Sequence, residues 1–115
     1  MRPQRIVLSR KAGFDLQAVS RALNGLPAQS VARPGPWGNP FTIAGVAAET
    51  GLDQAAAQAE AVRRHRLWLR GELAGDRPPP SAGDIRATLA GRNLACWCRA
   101  GSPCHVDNLL EIANQ

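Results

Sequence analysis

The sequence predicts one α/β domain over residues 1–115, a short, mainly parallel sheet with helices packed on it. Three observations carry this expectation. Strand-prone runs open the chain and recur near its end, at residues 5–9 (RIVLS) and 93–98 (NLACWC). Between them, residues 53–73 have the composition and periodicity of a helix. After the second run, Ser102 and Pro103 are the residue types preferred at a helix start. Strands interleaved with helices favour a parallel sheet covered by those helices. A length of 115 residues fits one such unit, and 44% hydrophobic residues suffice for a modest core.

Taken in order, residues 5–9 form the first strand. In the stretch that follows, Phe14 and Leu16, or Val19, Leu23 and Leu26, line one side of a short helix or ordered loop. Asn24, Gly25 and Pro27 end it. Ser30, Val31 and Ala32 suit a second short strand. Residues 33–41 (RPGPWGNPF) hold three prolines and two glycines, which exclude regular structure. The loop is expected to be stiff, anchored by Trp37 and Phe41. It is either a ligand wall carrying Arg33 and Asn39 or an Ω-like structural loop.

Asp53 is a good N-cap for the long helix, and Ala55, Ala59, Val62, Leu69 and Leu73 make its apolar stripe. Arg63, Arg64, Arg66 and Arg70 read as a solvated face partly paired with Glu60, and His65 as half-exposed. Residues 75–83 form a turn-rich connector. Asp84 caps a short helix that Gly91 stops. Residues 93–98 are a buried strand with Trp97 in the core. Ser102 caps the last helix, whose apolar face is Val106, Leu109, Leu110 and Ala113.

The formal charge is +5, and residues 1–36 supply the excess: Arg2, Arg5, Arg10, Lys11, Arg21 and Arg33 stand against Asp15 alone. Arginine's planar donor fork suits phosphate, so this third can meet a polyanionic partner, although a solvated basic surface has the same composition. No apolar run reaches the roughly 18 residues of a membrane span. The basic N-terminal stretch lacks a long apolar segment, so no secretory signal and a cytoplasmic location are expected. Three cysteines, an odd number, argue against a disulfide framework and for metal ligands, a catalytic group or plain core.

Those cysteines, Cys96, Cys98 and Cys104, lie with His105 within ten positions. On a strand Cys96 and Cys98 share one face, near the carboxyl end where open α/β sheets place ligands. With Ser102 as N-cap, Cys104 and His105 occupy the second and third helical positions. There the free N–H groups and the macrodipole favour thiolate, disfavour imidazolium and form a cradle for phosphate or carboxylate. Three readings stay open. As a metal set, Cys96, Cys98, Cys104 and His105 suit zinc, but C-x-C is not a standard knuckle. Adjacent helical residues also diverge by about 100°. As a site without metal, Cys104 or His105 contacts or attacks a ligand. As core, the thiols are merely buried.

The pieces RIVLSRKAGF, ARPGPWGNPF and LACWCRAGSPCHVDNLLEIAN resemble the DUF4326 family, small proteins of unknown function from bacteria and their phages. Arg33, Trp37, Gly38, Asn39, Pro40, Phe41, Cys96, Trp97, Cys98, Pro103, Cys104, His105 and Asp107 match its pattern. Val106 stands where members commonly have Ala, and Ala32 where they have Gly or Asp. A looser similarity to the DUF488 family implies a Rossmann-like, three-layer fold. Neither resemblance supplies a reaction, so function rests on the site.

The expectation is therefore a protein that binds, and can process, a phosphorylated ligand such as a nucleotide or nucleic-acid component. The ligand would lie between the 33–41 loop and the start of the last helix. Cys104 and His105 are the candidate catalytic groups. Arg33, Trp37, Gly38, Asn39, Cys96, Cys98, Ser102 and Asp107 are the candidate ligand contacts. No cofactor is required, and zinc on the Cys/His set is the alternative. That alternative implies a zinc-stabilised, non-enzymatic nucleic-acid adaptor, and a phage protein acting on a host factor is a third. The sequence names no reaction and no oligomeric state.

Overall fold

Asn93, Leu94, Ala95 and Cys96 form the central strand, and all four are buried. The computed structural model describes residues 2–115. Its elements are β1 (Arg5–Val7), α1 (Leu16–Asn24), β2 (Ala28–Ser30), α2 (Ile43–Thr50), α3 (Gln54–Leu69), α4 (Ala82–Leu89), β3 (Asn93–Cys96) and α5 (His105–Ala113). The sheet order is β1-β3-β2 and both pairings are parallel. Arg5 stands opposite Leu94 and Ala28 opposite Asn93.

Alternation along β3 assigns the layers. Leu94 and Cys96 face a core that includes Ile85 and Leu89 of α4 and Val106 and Leu109 of α5. Burying each of the larger aliphatic chains there contributes roughly 1.5–3 kcal/mol. Ala95 faces the other way and packs with Ile6, Ala28 and Leu16 under α1. Helices on both faces of a parallel sheet make the α/β, three-layer arrangement the sequence predicts.

On the α1 face, Asn93 places an amide inside the protein. It donates to Ser20 Oγ at 2.7 Å and to Asn24 Oδ1 at 2.8 Å. Asn24 donates back to Asn93 Oδ1 at 2.8 Å. A buried amide needs such partners, so α1 turns its polar side inward. This corrects one of the two expected apolar linings: Ser20 and Asn24 are buried and Val19 and Leu23 exposed, while Leu16 of the other lining packs with Ala95.

Several boundaries also differ from expectation. The second strand is Ala28–Ser30, two residues earlier than predicted, and Val31 only extends it with an N–H bond to Ala95 O at 2.9 Å. Helix α2 was not foreseen; Thr42 caps it by accepting from Gly45 N at 3.0 Å. In α3 the buried positions are Ala57, Ala61, His65 and Trp68, while Ala55 and Ala59 are exposed. The buried stripe keeps helical spacing but is rotated from the predicted one, of which Val62 and Leu69 are half-buried and Leu69 packs on the main core. Because His65 falls on it, that residue is fully buried rather than half-exposed. Ser81, not Asp84, caps α4, accepting from Asp84 N at 3.0 Å.

On the arginine face of α3 the pairing with Glu60 is as expected, but the Arg64 side chain is only 17% exposed rather than solvated. Arg63 and Arg64 bond Glu60 at 2.7 and 2.9 Å, and Arg64 also reaches Glu49 at 2.9 Å. Among the described residues, no helix is long and apolar enough to cross a membrane.

Candidate functional site

β3 ends at Cys96, so Trp97 and Cys98 belong to the turn leaving the sheet. That release changes Trp97's place. It does not fill the core but stands 48% exposed, with the Arg10 guanidinium 4.6 Å above its ring. The turn is stapled from β1: Arg5 donates to Arg99 O and Ser102 O, both at 2.8 Å.

The start of α5 also differs from expectation. Ser102 does not cap the helix, because its hydroxyl donates to Arg99 O at 2.7 Å. Gln58 of α3 holds Pro103 O at 2.7 Å. Ser and Pro are thus consumed in the preceding turn. Cys104 becomes the N-cap, with extended backbone at φ −151 and ψ 142, and His105 becomes the first helical residue.

These two turns bring the thiols together. Cys96 Sγ lies 2.8 Å from Cys104 Sγ. The sulfurs of Cys96, Cys98 and Cys104 all fall within 4.8 Å of one another, and all three are free thiols. Cys96 and Cys104 are buried, and Cys98 is half-buried. The trio shares protons unevenly. Hydrogen bonds from Cys104 and Cys96, helped by the Arg5 guanidinium, hold Cys98 far below the usual thiol range against its burial. Hydrogen bonding to Cys96 and Cys98, with burial, pushes Cys104 far up. At Cys96 the bond to Cys104 lowers the pKa, but Cys98 and burial outweigh it and the net shift is upward. The thiol whose pKa is lowered is therefore Cys98, rather than Cys104 as helix position alone suggests. This group of three sulfurs has the composition and spacing to hold a metal ion.

His105 is 8% exposed, and burial lowers its pKa, keeping it neutral. Its Nε2 lies 2.8 Å from Val31 O, and its Nδ1 lies 3.8 Å from Cys104 Sγ. Behind it stands His65, ring to ring at 5.2 Å and 84°. His65 Nδ1 accepts from Asn108 at 3.1 Å, while its Nε2 has no hydrogen-bond partner among the described residues. Burial, chiefly, pushes His65 down to about 3.

The thiols open onto a cavity of about 340 Å³ between the proline-rich loop, α3 and the start of α5. The two distant segments singled out by sequence therefore do share one hollow. Of the predicted site residues, Arg33, Asn39, Cys96, Cys98, Cys104 and His105 line it. Asn39 does so as a clamp: its amide donates to Ala61 O at 3.1 Å and accepts from Phe41 N at 2.9 Å.

Trp37, Gly38, Ser102 and Asp107 lie outside the lining. Trp37 packs on the core. A Cβ on Gly38 would sit 2.6 Å from Arg33 Cγ and 3.1 Å from its Cα, so glycine there lets the loop close on itself. Asp107 is exposed and 3.5 Å from Arg5. Sequence reasoning missed Arg10, Trp97, Phe41 and Gln58 in the lining. The basic N-terminal run was the signal for Arg10. Gln58 had none, since nothing local marks one face of an alanine-rich helix.

Comparison with known proteins gives one match: residues 19–115 fit a domain of unknown function, DUF4326. The chain belongs to the DUF4326 family. Within the DUF4326 span fall the proline-rich loop, the three cysteines, His105 and the whole of α3, which carries no distinctive motif of its own. β1 and Arg10 precede the span. Nothing in the comparisons extends to the DUF488 family. No curated protein and no solved structure matches the chain.

Proposed function

We propose that this DUF4326 member is a zinc–thiolate protein whose metal, held by Cys96, Cys98 and Cys104, braces a cavity that takes a phosphorylated ligand. The observation that carries the metal reading is the convergence of three sulfurs within 4.8 Å, one from the end of β3, one from the turn that follows it and one from the N-cap of α5. Three thiols packed against one another are a poor resting state for such a group. A divalent ion draws off their protons and satisfies all three sulfurs. Zinc is the choice because thiolate-rich sites suit it and because tetrahedral geometry needs only one small cluster of ligands.

The test is elemental analysis of protein purified without added metal, expected near one zinc per chain. Cys98→Ser should reduce that content sharply. Trace metal, with all three thiols free to react at once, would sink the reading.

The ligand half of the proposal rests on a different observation. Arg10 and Arg33 border the cavity, Arg10 lies on the face of Trp97, and Gln58 offers a polar side chain to the same wall. Two guanidinium groups suit phosphate, and an exposed indole suits a planar base. A nucleotide combines both. Trp97 fluorescence during titration with nucleoside mono- and triphosphates tests this half, and no response to any of them would remove it. The zinc-stabilised adaptor for nucleic acid uses the same two features, and short oligonucleotides in the same titration distinguish it.

A further inference from the structure

We infer that His105 Nδ1 is the fourth ligand of the thiolate centre, closing it as a three-cysteine, one-histidine site. This inference rests on the metal reading above and adds the residue that completes it.

The obstacle to such a set was geometric: consecutive residues of a helix project about 100° apart, so Cys104 and His105 would not face one ion. The backbone removes it. Cys104 is extended, at φ −151 and ψ 142, and only His105 is helical. The break turns the two side chains together, leaving Sγ and Nδ1 3.8 Å apart. Tetrahedral zinc with bonds of about 2.3 Å to sulfur and 2.0–2.1 Å to nitrogen separates such a pair by about 3.6 Å. The observed spacing is close to one edge of that tetrahedron; Nδ1 lies beyond 4.8 Å from at least one of the other two sulfurs, so closing the site requires that thiol to rotate inward on the ion.

The tautomer points the same way. A backbone carbonyl only accepts, so the 2.8 Å contact with Val31 O requires the proton on Nε2. The lone pair is then on Nδ1, the nitrogen nearer the sulfurs. Metal-bound histidines commonly donate their other ring N–H to a backbone carbonyl or carboxylate, which fixes the ring and raises its basicity. Val31 O plays that part here. His65, packed edge to face at 5.2 Å and itself bonded to Asn108, restricts the ring further. Among the described residues the Cys104 thiol is the group at hydrogen-bond range of Nδ1, and 3.8 Å is long for such a bond.

Cobalt(II), loaded in place of zinc, gives the readout. The full-length chain should show thiolate charge-transfer bands and the d–d envelope of a tetrahedral site. His105→Ala should keep the charge-transfer bands, shift the envelope and lower affinity by at least about 100-fold, more than loss of an outer-sphere partner brings. His105→Cys should restore tight binding with a four-thiolate spectrum. Long-range ¹⁵N correlations on the unsubstituted zinc-loaded chain give an answer even if a variant fails to fold. They should report a protonated Nε2 and a metal-shifted Nδ1 at His105. Metal binding with an unshifted Nδ1, or an Ala variant within twofold of the parent, overturns the inference and leaves the zinc reading standing. No cobalt or zinc uptake by the parent chain overturns both.

Discussion

Replacing Asn39 with alanine should destabilise the protein by about 2–4 kcal/mol. Two bonds are lost. Asn39 Nδ2 donates to Ala61 O at 3.1 Å, and Asn39 Oδ1 accepts from Phe41 N at 2.9 Å. The side chain is 8% exposed, so water does not readily replace it. Losing the Ala61 bond costs about 0.5–1.5 kcal/mol, and leaving the Phe41 N–H without a partner costs about 1–3 kcal/mol, together about 2–4 kcal/mol. For 115 residues, an unfolding entropy of about 2.1 cal/mol/K per residue gives about 0.24 kcal/mol/K. The expected fall in Tm is then about 8–16 °C. Calorimetry, or thermal melts followed by circular dichroism, measures it. If Asn39 instead served only to contact a ligand, the apo protein would melt unchanged. A shift under about 3 °C would refute the clamp.

Three further outcomes follow from the same coordinates. Gly38→Ala should cost about 1–3 kcal/mol by overpacking against Arg33, whose Cγ and Cα lie 2.6 and 3.1 Å from the new methyl position; a urea midpoint equal to the parent's would show the loop has room. Glu60 is held at about 2, below its ordinary 4.5, chiefly by hydrogen bonds from Arg63 and then Arg64. A depressed folded-state pKa means this stability is present above about pH 4.5 and is lost as pH falls toward 2. Glu60→Gln should flatten that acid limb by no more than about 1 kcal/mol, because the Arg63 and Glu49 ends of the network are open to solvent; an unchanged limb would mean the pairs contribute nothing. Arg10→Ala should alter Trp97 emission and weaken phosphate-bearing ligands about tenfold, while removing a cation–π contact of about 0.5–1 kcal/mol; an unaltered emission spectrum would place Arg10 elsewhere in solution.

What the sequence made legible were the features encoded within a few neighbouring residues. Asp53 caps α3 by accepting from Ala56 N at 2.8 Å, and Gly25 ends α1 at φ 79, both as local composition predicts. The features set by distant partners were not legible. Ser102 and Pro103 look like a helix start, yet Arg99 O and Gln58 engage them first. Val19 and Leu23 look like a buried face, yet Asn93, far along the chain, draws Ser20 and Asn24 inward. Trp97 looks like core, yet β3 stops one residue before it. At the site, the proximity of the cysteines and His105 was evident from spacing. Whether Cys104 and His105 diverge or converge depended on one backbone torsion at residue 104, which no local signal determined.

The link between the thiol cluster and the cavity runs through Val31. Its N–H bonds Ala95 O at 2.9 Å, and its carbonyl meets His105 Nε2 at 2.8 Å. It stands just before Ala32 and Arg33, where the cavity wall begins. Strands of only three or four residues offer few ladder bonds, fewer than the usual five to six residues per strand provide. The wall therefore leans on His105 as much as on the sheet. A metal on Nδ1 would fix the imidazole and, through Nε2, fix Val31. Chelation should then speed amide exchange at Val31 and Ala32 by at least about tenfold, while amides in the middle of α3, which bond within their own helix, change less. Exchange that accelerates uniformly would mean the metal acts on global stability alone. Exchange that stays constant at Val31 would disconnect the thiols from the cavity, and the phosphorylated ligand would then have to be argued without them.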